Sequence, residues 1–443
     1  MTTLTVKHAE LLRGEVHVPG DKSISHRAIL LGAMADGESH IRGFLPSGDC
    51  LATVGCVRSL GINVTRTEDK SVIVGGKGLT GLQSPEEPLN CVRSGTTMRL
   101  LTGILAGQRF DSVLTGETQL LHRPMRRITE PLSLMGASIA HHNGCAPLEI
   151  TGQPLKGTDH HLKIASAQVK SAILLAGLFA EGQTTVHQPG PARDHTERML
   201  AAQIVTRVPG IQVLRYDREK VSLDPEGIKH LAPFNVQIPG DISSAAFIIA
   251  AALLIPGSEM TVKGVGINPT RTGLLDVLSA MGADIRWHER EEQGGEPVAD
   301  ITIRYSKLEG TEISGGTVVR MIDEFPILAV IATQAHGTTV VRDAAELRVK
   351  ETDRIATVVD ALQAMGARIQ ARPDGFIIEG PALLHGQTLS SRHDHRLGMA
   401  LAIAGLVATG ETAVKESECI ADSFPGFEGV LQHLGADVTC TLD

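Results

Sequence analysis

Pro19–Arg27 reads PGDKSISHR, and its opening returns in PGDISSA at Pro239–Ala245. The first copy leaves a short apolar strand (Val16, Val18) and enters an Ala/Leu-rich helix. The Ser23 and Ser25 hydroxyls are expected to cap that helix by accepting from its free backbone N–H groups. Lys22 and Arg27 fall in or beside the first turn, where the helix end already carries about half a positive charge. A cation there is disfavoured by roughly 0.3–1 kcal/mol unless something negative lies close by. Taken singly, these are an ordinary solvated Lys and Arg. The sharper reading is an anion site made of N–H groups and two cations, and recurrence along the chain favours it.

The repeats are marked by glycine. SLGINV, LMGASI, AMGADI, AMGARI and HLGADV end at Val64, Ile139, Ile285, Ile369 and Val438, with a weaker VPGIQV ending at Val213. Each reads as a helix closed by Gly and followed by a strand. A second phrase precedes each one, an apolar helix ending in Gly and then a β-prone run, as in Gly37–Ile41, Gly182–Val186, Gly257–Val262, Gly337–Val341 and Gly410–Val414, with a looser form at Gly107–Leu114. The chain is therefore expected to be α/β, with six units of helix, strand, helix, strand and a further strand. The opening helices start near Lys22, Gly95, Ser166, Ile242, Asp323 and Asp394. They are apolar on several sides, which predicts burial. With the two PGD phrases as crossings, residues 21–239 form one lobe of three units, and 1–20 plus 240–443 form the other. Two crossing strands would act as a hinge, with helix N-termini of both lobes facing a cleft. His288–Val298 (HEREEQGGEPV) reads as a polar loop insertion.

Composition narrows the class. The 443 residues are 42% hydrophobic and 21% charged, which suits a soluble globular protein. Lys+Arg 41 against Asp+Glu 50 gives a net charge of −9, and aromatics make up 3%, so a nucleic-acid surface is not expected. No apolar signal core opens the chain, and the longest apolar run, Ala245–Ile255, is too short for a bilayer. No membrane partner is expected. The six cysteines form no CxxC pair, so neither zinc nor redox chemistry is expected, and scattered thiols suit a reducing cytoplasm.

Charge concentrates at the helix starts. Arg93–Arg99 (RSGTTMR), Ser166–Ser171 (SAQVKS), Arg320–Phe325 (RMIDEF) and His393–Arg396 (HDHR) open units, while His122–Arg127 (HRPMRR) and Arg348–Arg354 (RVKETDR) lie between them. Thr352 is expected to cap the helix after RVKETDR. Asp323 is read as the cap of a helix over 324–335, a role compatible with others. In an acidic protein, cations repeatedly placed at the wrong helix ends point to a ligand with more than one anionic group.

PGDKSISHR, SGTTMRLL, HRPM, SAQVKSA, VKETDR and DHR, in this order, resemble the 5-enolpyruvylshikimate-3-phosphate synthase (3-phosphoshikimate 1-carboxyvinyltransferase) family over nearly the whole chain. The resemblance implies two lobes, each of three βαβαββ-type repeats (an inside-out α/β barrel), closing on the substrates. It implies transfer of the enolpyruvyl group of phosphoenolpyruvate to the 5-hydroxyl of shikimate 3-phosphate with release of phosphate. Carried over by motif, Lys22, Ser23, Arg27, Ser166, Ala167, Gln168, Asp323 and Lys350 would contact shikimate 3-phosphate. Lys22, Gly95, Arg123, Gln168, Arg354 and Arg396 would hold phosphoenolpyruvate. Gly95 lets the backbone approach, and the arginines pair two oxygens at once. Asp323 would act as base on the hydroxyl, with Glu351 and Lys22 handling the proton at carbon. No cofactor and no metal are implied, and a cytoplasmic monomer is expected.

Three positions depart from the family pattern. Arg93 stands where Asn is frequent, Ala167 where a second Ser is frequent, and Asp422 where some members place a Lys. UDP-N-acetylglucosamine enolpyruvyl transferase is the nearest rival, but Gly116–Met125 lacks the reactive Cys of that family. An RNA 3′-phosphate cyclase-like enzyme is disfavoured by the acidic charge. A catalytically dead binding protein is disfavoured because Lys22, Asp323 and Glu351 are all present.

Overall fold

In the computed structural model, residues 2–68 and 71–442 are described. The chain is α/β and divides into two compact units, one of residues 20–238 with 292–296 and one of 1–19, 239–291 and 297–443. Among the described residues there are six four-stranded sheets and no closed barrel. In every four-stranded sheet the first strand runs parallel to the second, and the second antiparallel to the third. A parallel pair needs a crossover, and the helices Gly95–Ala106 and Ala167–Gly177 supply it in their sheets.

The two PGD phrases mark an exchange of strands. Arg13–His17, just before the first PGD, pairs with Glu259–Gly266, which follows the second. Asn235–Gln237, just before the second PGD, pairs with Asp36–Arg42, which follows the first. The N-terminal strand Thr2–Lys7 then completes the last sheet, between Glu411–Lys415 and Val438–Leu442.

Each unit has its own apolar core. Ile242–Leu254, Phe325–Gln334 and His395–Val407 pack against one another and are buried almost throughout. In the other unit Gly95–Ala106 lies close on Ala167–Gly177, because a side chain at Gly103 would collide with the Ala172 carbonyl. The helix-closing glycines at 61, 136, 282, 366 and 435 have φ of 82°, 93°, 90°, 98° and 106°, a region that L side chains rarely adopt. No helix among the described residues is long and apolar enough to cross a membrane.

Several expectations are corrected. Asp21, not Ser23 or Ser25, caps Lys22–Met34 by accepting from the Ile24 N–H at 2.9 Å. Ser25 Oγ instead accepts from the Leu45 N–H at 3.1 Å. The shared Asp of the second phrase does the same work, since Asp241 accepts from the Ser243 N–H at 2.9 Å. The weak VPGIQV phrase closes no helix. His195–Gln203 ends earlier and leads into Ile204–Thr206, although Gly210 is left-handed at φ 85°. His288–Val298 is not a loop but part of the long strands Asp284–Gln293 and Glu296–Arg304. Its tip groups with the unit that holds His195, whose Nδ1 lies 2.7 Å from Glu296 Oε1.

Burial also fixes a protonation state. His26 is wholly enclosed, its Nδ1 2.7 Å from Thr53 Oγ1, and burial pushes its pKa down to about 3. The unfolded chain takes up that proton near pH 6.5. Stability from this site is therefore complete above pH 6.5 and is lost as the pH falls toward 3. Urea unfolding at pH 7 and pH 5 should show the wild type losing about 2 kcal/mol more than His26→Gln. Equal losses would show that His26 is protonated in the folded protein.

Candidate active site

The unit of residues 20–238 gathers cations from four segments. At the start of Lys22–Met34, Lys22 Nζ pairs with Asp49 Oδ2 at 2.9 Å, and both side chains remain partly open at 17% and 22%. Arg27, one turn further, is buried at 4% exposure. It donates from Nε to Thr196 Oγ1 at 2.6 Å, from Nη2 to Ser171 Oγ at 2.8 Å and from Nη1 to the Ser23 carbonyl at 2.9 Å. Burial lowers its pKa to about 10, against the pull of Glu197. Arg193 reaches the same place, its Nη1 3.5 Å from Ser23 Oγ. Glu197 is itself held by Lys170 in a buried pair at 2.6 Å.

Gly95 opens the next helix, and Ser94 caps it through the Thr97 N–H at 3.1 Å. A Cβ at Gly95 would lie 3.0 Å from Arg123 Nη1 and 3.3 Å from Arg99 Nη1. Two guanidinium groups therefore stand against the bare backbone at a helix N-terminus, the end that favours negative charge. Arg99 Nη1 donates to Gln168 Oε1 at 2.6 Å, and Gln168 Nε2 donates to Thr96 Oγ1 at 2.9 Å. The Gln168 amide is thereby held at both ends. Ser166 occupies the cap position of Ala167–Gly177 but makes no side-chain capping bond. Ser166, Ala167 and Gln168 are all half-buried. Arg93 leans the other way, toward Glu117 at 3.7 Å.

In the other unit a single guanidinium organises the group. Arg354 is 2% exposed. Its Nε and Nη2 meet Asp394 Oδ2 and Oδ1 at 2.8 and 3.2 Å, Nη2 meets Glu351 Oε2 at 2.8 Å, and Nη1 meets Asp323 Oδ1 at 3.4 Å. Arg396 Nη2 lies 3.8 Å from Asp323 Oδ2. Asp394, Glu351 and Asp323 push Arg354 further above its already high pKa, against the cost of burial. Asp394 also caps His395–Val407, accepting from the Arg396 N–H at 2.9 Å. Loss of solvent pulls the half-buried Lys350 below the ordinary lysine range, against Asp323, Glu346 and Glu351. Asp422 is half-buried.

Two cap assignments change here. Asp353, not Thr352, caps Arg354–Ala364 through the Ala356 N–H at 3.1 Å, and Thr352 Oγ1 donates to Asp394 at 3.1 Å. Asp323 does not cap the helix Phe325–Gln334, because Glu324 stands at that position. Its carboxylate faces Arg354 and Arg396 instead. The structure thus brings Gly95, Arg123 and Gln168 together, Lys22, Ser23 and Arg27 to one helix start, and Asp323, Glu351, Arg354 and Arg396 to one group. Sequence reasoning passed over Arg99, Arg193, Asp49 and Asp394. Arg193 carried a readable signal, a cation just ahead of the helix His195–Gln203.

Asp394 joins a helix cap to a buried ion pair, so its removal leaves Arg354 short of its best partner. Asp394→Ala should lose roughly 3–5 kcal/mol in urea unfolding, and Asp394→Asn less, because the amide oxygen still caps. A loss within about 1 kcal/mol for Asp394→Ala would contradict this placement.

Comparison with known proteins bears on the same residues. The family model described as EPSP synthase (3-phosphoshikimate 1-carboxyvinyltransferase) matches residues 6–431. A Desulforamulus reducens protein named 3-phosphoshikimate 1-carboxyvinyltransferase is 48% identical over 433 residues, covering 97% of this chain and 99% of that relative. A Herpetosiphon aurantiacus protein of the same name is 51% identical over 425 residues, covering 96% and 97%. A solved EPSP synthase structure from Acinetobacter baumannii matches with a TM-score of 0.88 at 43% identity, each chain covered at 100%. By motif, by fold and by identity along nearly its whole length, the chain belongs to the EPSP synthase family.

Proposed function

We propose that this protein carries out its family's reaction, moving the enolpyruvyl group of phosphoenolpyruvate to the 5-hydroxyl of shikimate 3-phosphate and releasing phosphate, within aromatic biosynthesis. The observation that carries this reading is Arg27. It is buried, and among the described residues its hydrogen-bond partners are two hydroxyls and a carbonyl. Neutral partners orient a guanidinium without cancelling its charge, so that charge stays available to an incoming phosphate. Ser23 and Arg193 stand beside it.

Roles are assigned by family motif. Lys22, Ser23, Arg27, Ser166, Ala167 and Gln168 bind shikimate 3-phosphate, the Ala167 position offering only backbone. Lys350 serves the shikimate hydroxyls. Lys22, Gly95, Arg123, Gln168, Arg354 and Arg396 hold phosphoenolpyruvate. Asp323 takes the proton of the attacking hydroxyl as oxygen bonds to the central carbon of phosphoenolpyruvate. Glu351 or Lys22 gives a proton to the methylene carbon. The resulting tetrahedral adduct then loses a methyl proton and phosphate, which restores the double bond. Fixed cations stabilise that multiply anionic adduct, and this preorganisation supplies most of the rate. The ion pair with Arg354 at 2.8 Å holds the Glu351 carboxylate in one position, and Glu351 must take up a proton before it can give one.

The common order of the six sheets supports the further reading that each unit is a lobe of three βαβαββ modules. The protein is proposed to act as a cytoplasmic monomer with these two small anions as its partners and no nucleic acid.

The direct test is product formation. Purified protein given both substrates should yield the enolpyruvyl ether and one phosphate per turnover, and no product would end the proposal. Asp323→Asn should bind shikimate 3-phosphate normally while kcat falls by about 10²–10⁴, and an unchanged kcat would remove Asp323 as base. Gly95→Ala should raise the KM for phosphoenolpyruvate more than that for shikimate 3-phosphate, since the added methyl would crowd Arg123 and Arg99. An unchanged KM for phosphoenolpyruvate would argue against Gly95 lining that pocket.

A further inference from the structure

Two histidines and an aspartate with no part in this reaction meet on the outer face of one sheet. Asp159–His161 runs parallel to Thr184–His187, with His161 opposite His187 and Asp159 opposite Thr185. Side chains alternate along a strand. His160 accordingly points inward and is buried, while Asp159, His161 and His187 share the solvent side. The two imidazole rings stack with centroids 4.4 Å apart and planes at 0°. Both Nε2 atoms turn toward one oxygen, Asp159 Oδ1, at 3.0 Å from His187 and 3.9 Å from His161. The three donor atoms lie within 4.8 Å of one another.

We propose that Asp159, His161 and His187 form a binding site for a borderline divalent transition-metal ion, with Zn²⁺ the type case. A tetrahedral ion with bonds of about 2.0–2.2 Å holds its ligands roughly 3.3 Å apart, and the two Nε2–Oδ1 distances of 3.0 and 3.9 Å bracket that spacing. Imidazole with carboxylate suits Zn²⁺, Cu²⁺ or Ni²⁺, whereas Mg²⁺ prefers an octahedron of oxygens. The side chains of Asp159, His161 and His187 are 62%, 73% and 32% exposed, which leaves a fourth position open to water. Lys220, across the sheet from His187, works against a cation there, and the Asp159 carboxylate offsets it. In the sequence these residues show no metal-ligand spacing, and only the parallel register brings them together. A bound ion would fasten the strand that leads to Ser166 to the strand that leads to Arg193.

The test uses the untagged full-length chain, titrated calorimetrically with Zn²⁺ and followed by visible absorption with Co²⁺. One ion per chain is expected, with the Co²⁺ bands of a four-coordinate site and no heat from Mg²⁺. His161→Asn and His187→Asn should each weaken Zn²⁺ binding about tenfold or more, and the double variant should lose this ion. These side chains are surface groups, so the folded state and basal activity should persist in the variants. Wild-type Zn²⁺ binding by the double variant, or no binding by the wild type at millimolar ion, would overturn the proposal.

Discussion

A cation taken out of water must be answered by charge or by hydrogen bonds, or it costs several kcal/mol. Arg354 and Arg27 meet this constraint in opposite ways. Arg354 is surrounded by Asp394, Glu351 and Asp323, so its charge is answered from within. Arg27 makes its hydrogen bonds, among the described residues, to hydroxyls and a carbonyl, with Glu197, Asp21 and Glu296 acting on it without a direct bond, so its geometry is fixed with no carboxylate hydrogen-bonded to it. The first arrangement fixes Arg354 and leaves Asp323 and Glu351 held beside it. The second is the arrangement on which the proposed phosphate recognition rests.

The helices explain why both arrangements arise where they do. An opening helix that is buried along its length has no place for polar groups except its ends. Capping carboxylates take up part of that end, as Asp21, Asp241 and Asp394 do. What remains is a set of N–H groups with a positive field, and the arginines beside it add to the field rather than cancel it. Such a placement is unfavourable in the empty protein and favourable once a phosphate or carboxylate arrives. Gly95 belongs to the same logic, because its missing side chain leaves room between Arg123 and the backbone.

Much of this was legible in the sequence, and the reasons are local. A Gly that closes a helix at positive φ leaves a mark in the chain, and the glycines at 61, 136, 282, 366 and 435 all carry it. Uniformly apolar helices announce their burial. The residues of the candidate site stood out because cations at helix starts are rare without cause. What the sequence hid depends on side-chain reach and on partners distant in the chain. Asp21 and Asp353 outcompeted the neighbouring hydroxyls for the caps, and Asp394 paired with Arg354 across 40 positions. Arg193 comes to Ser23 across 170 positions. His288–Val298 reads as a loop because the exposed residues of the strand Asp284–Gln293 are densely charged. In the same way, no reading along the chain places His161 beside His187.

The central claim is that the buried Arg27 guanidinium, hydrogen-bonded to neutral groups and with Ser23 and Arg193 beside it, recognises the phosphate of the ligand rather than its ring. The thermal unfolding midpoint with saturating shikimate 3-phosphate, set against the same concentration of shikimate, tests this most directly. The account expects a clear upward shift with the phosphate ester and little or none with shikimate. Equal shifts from both compounds would contradict it.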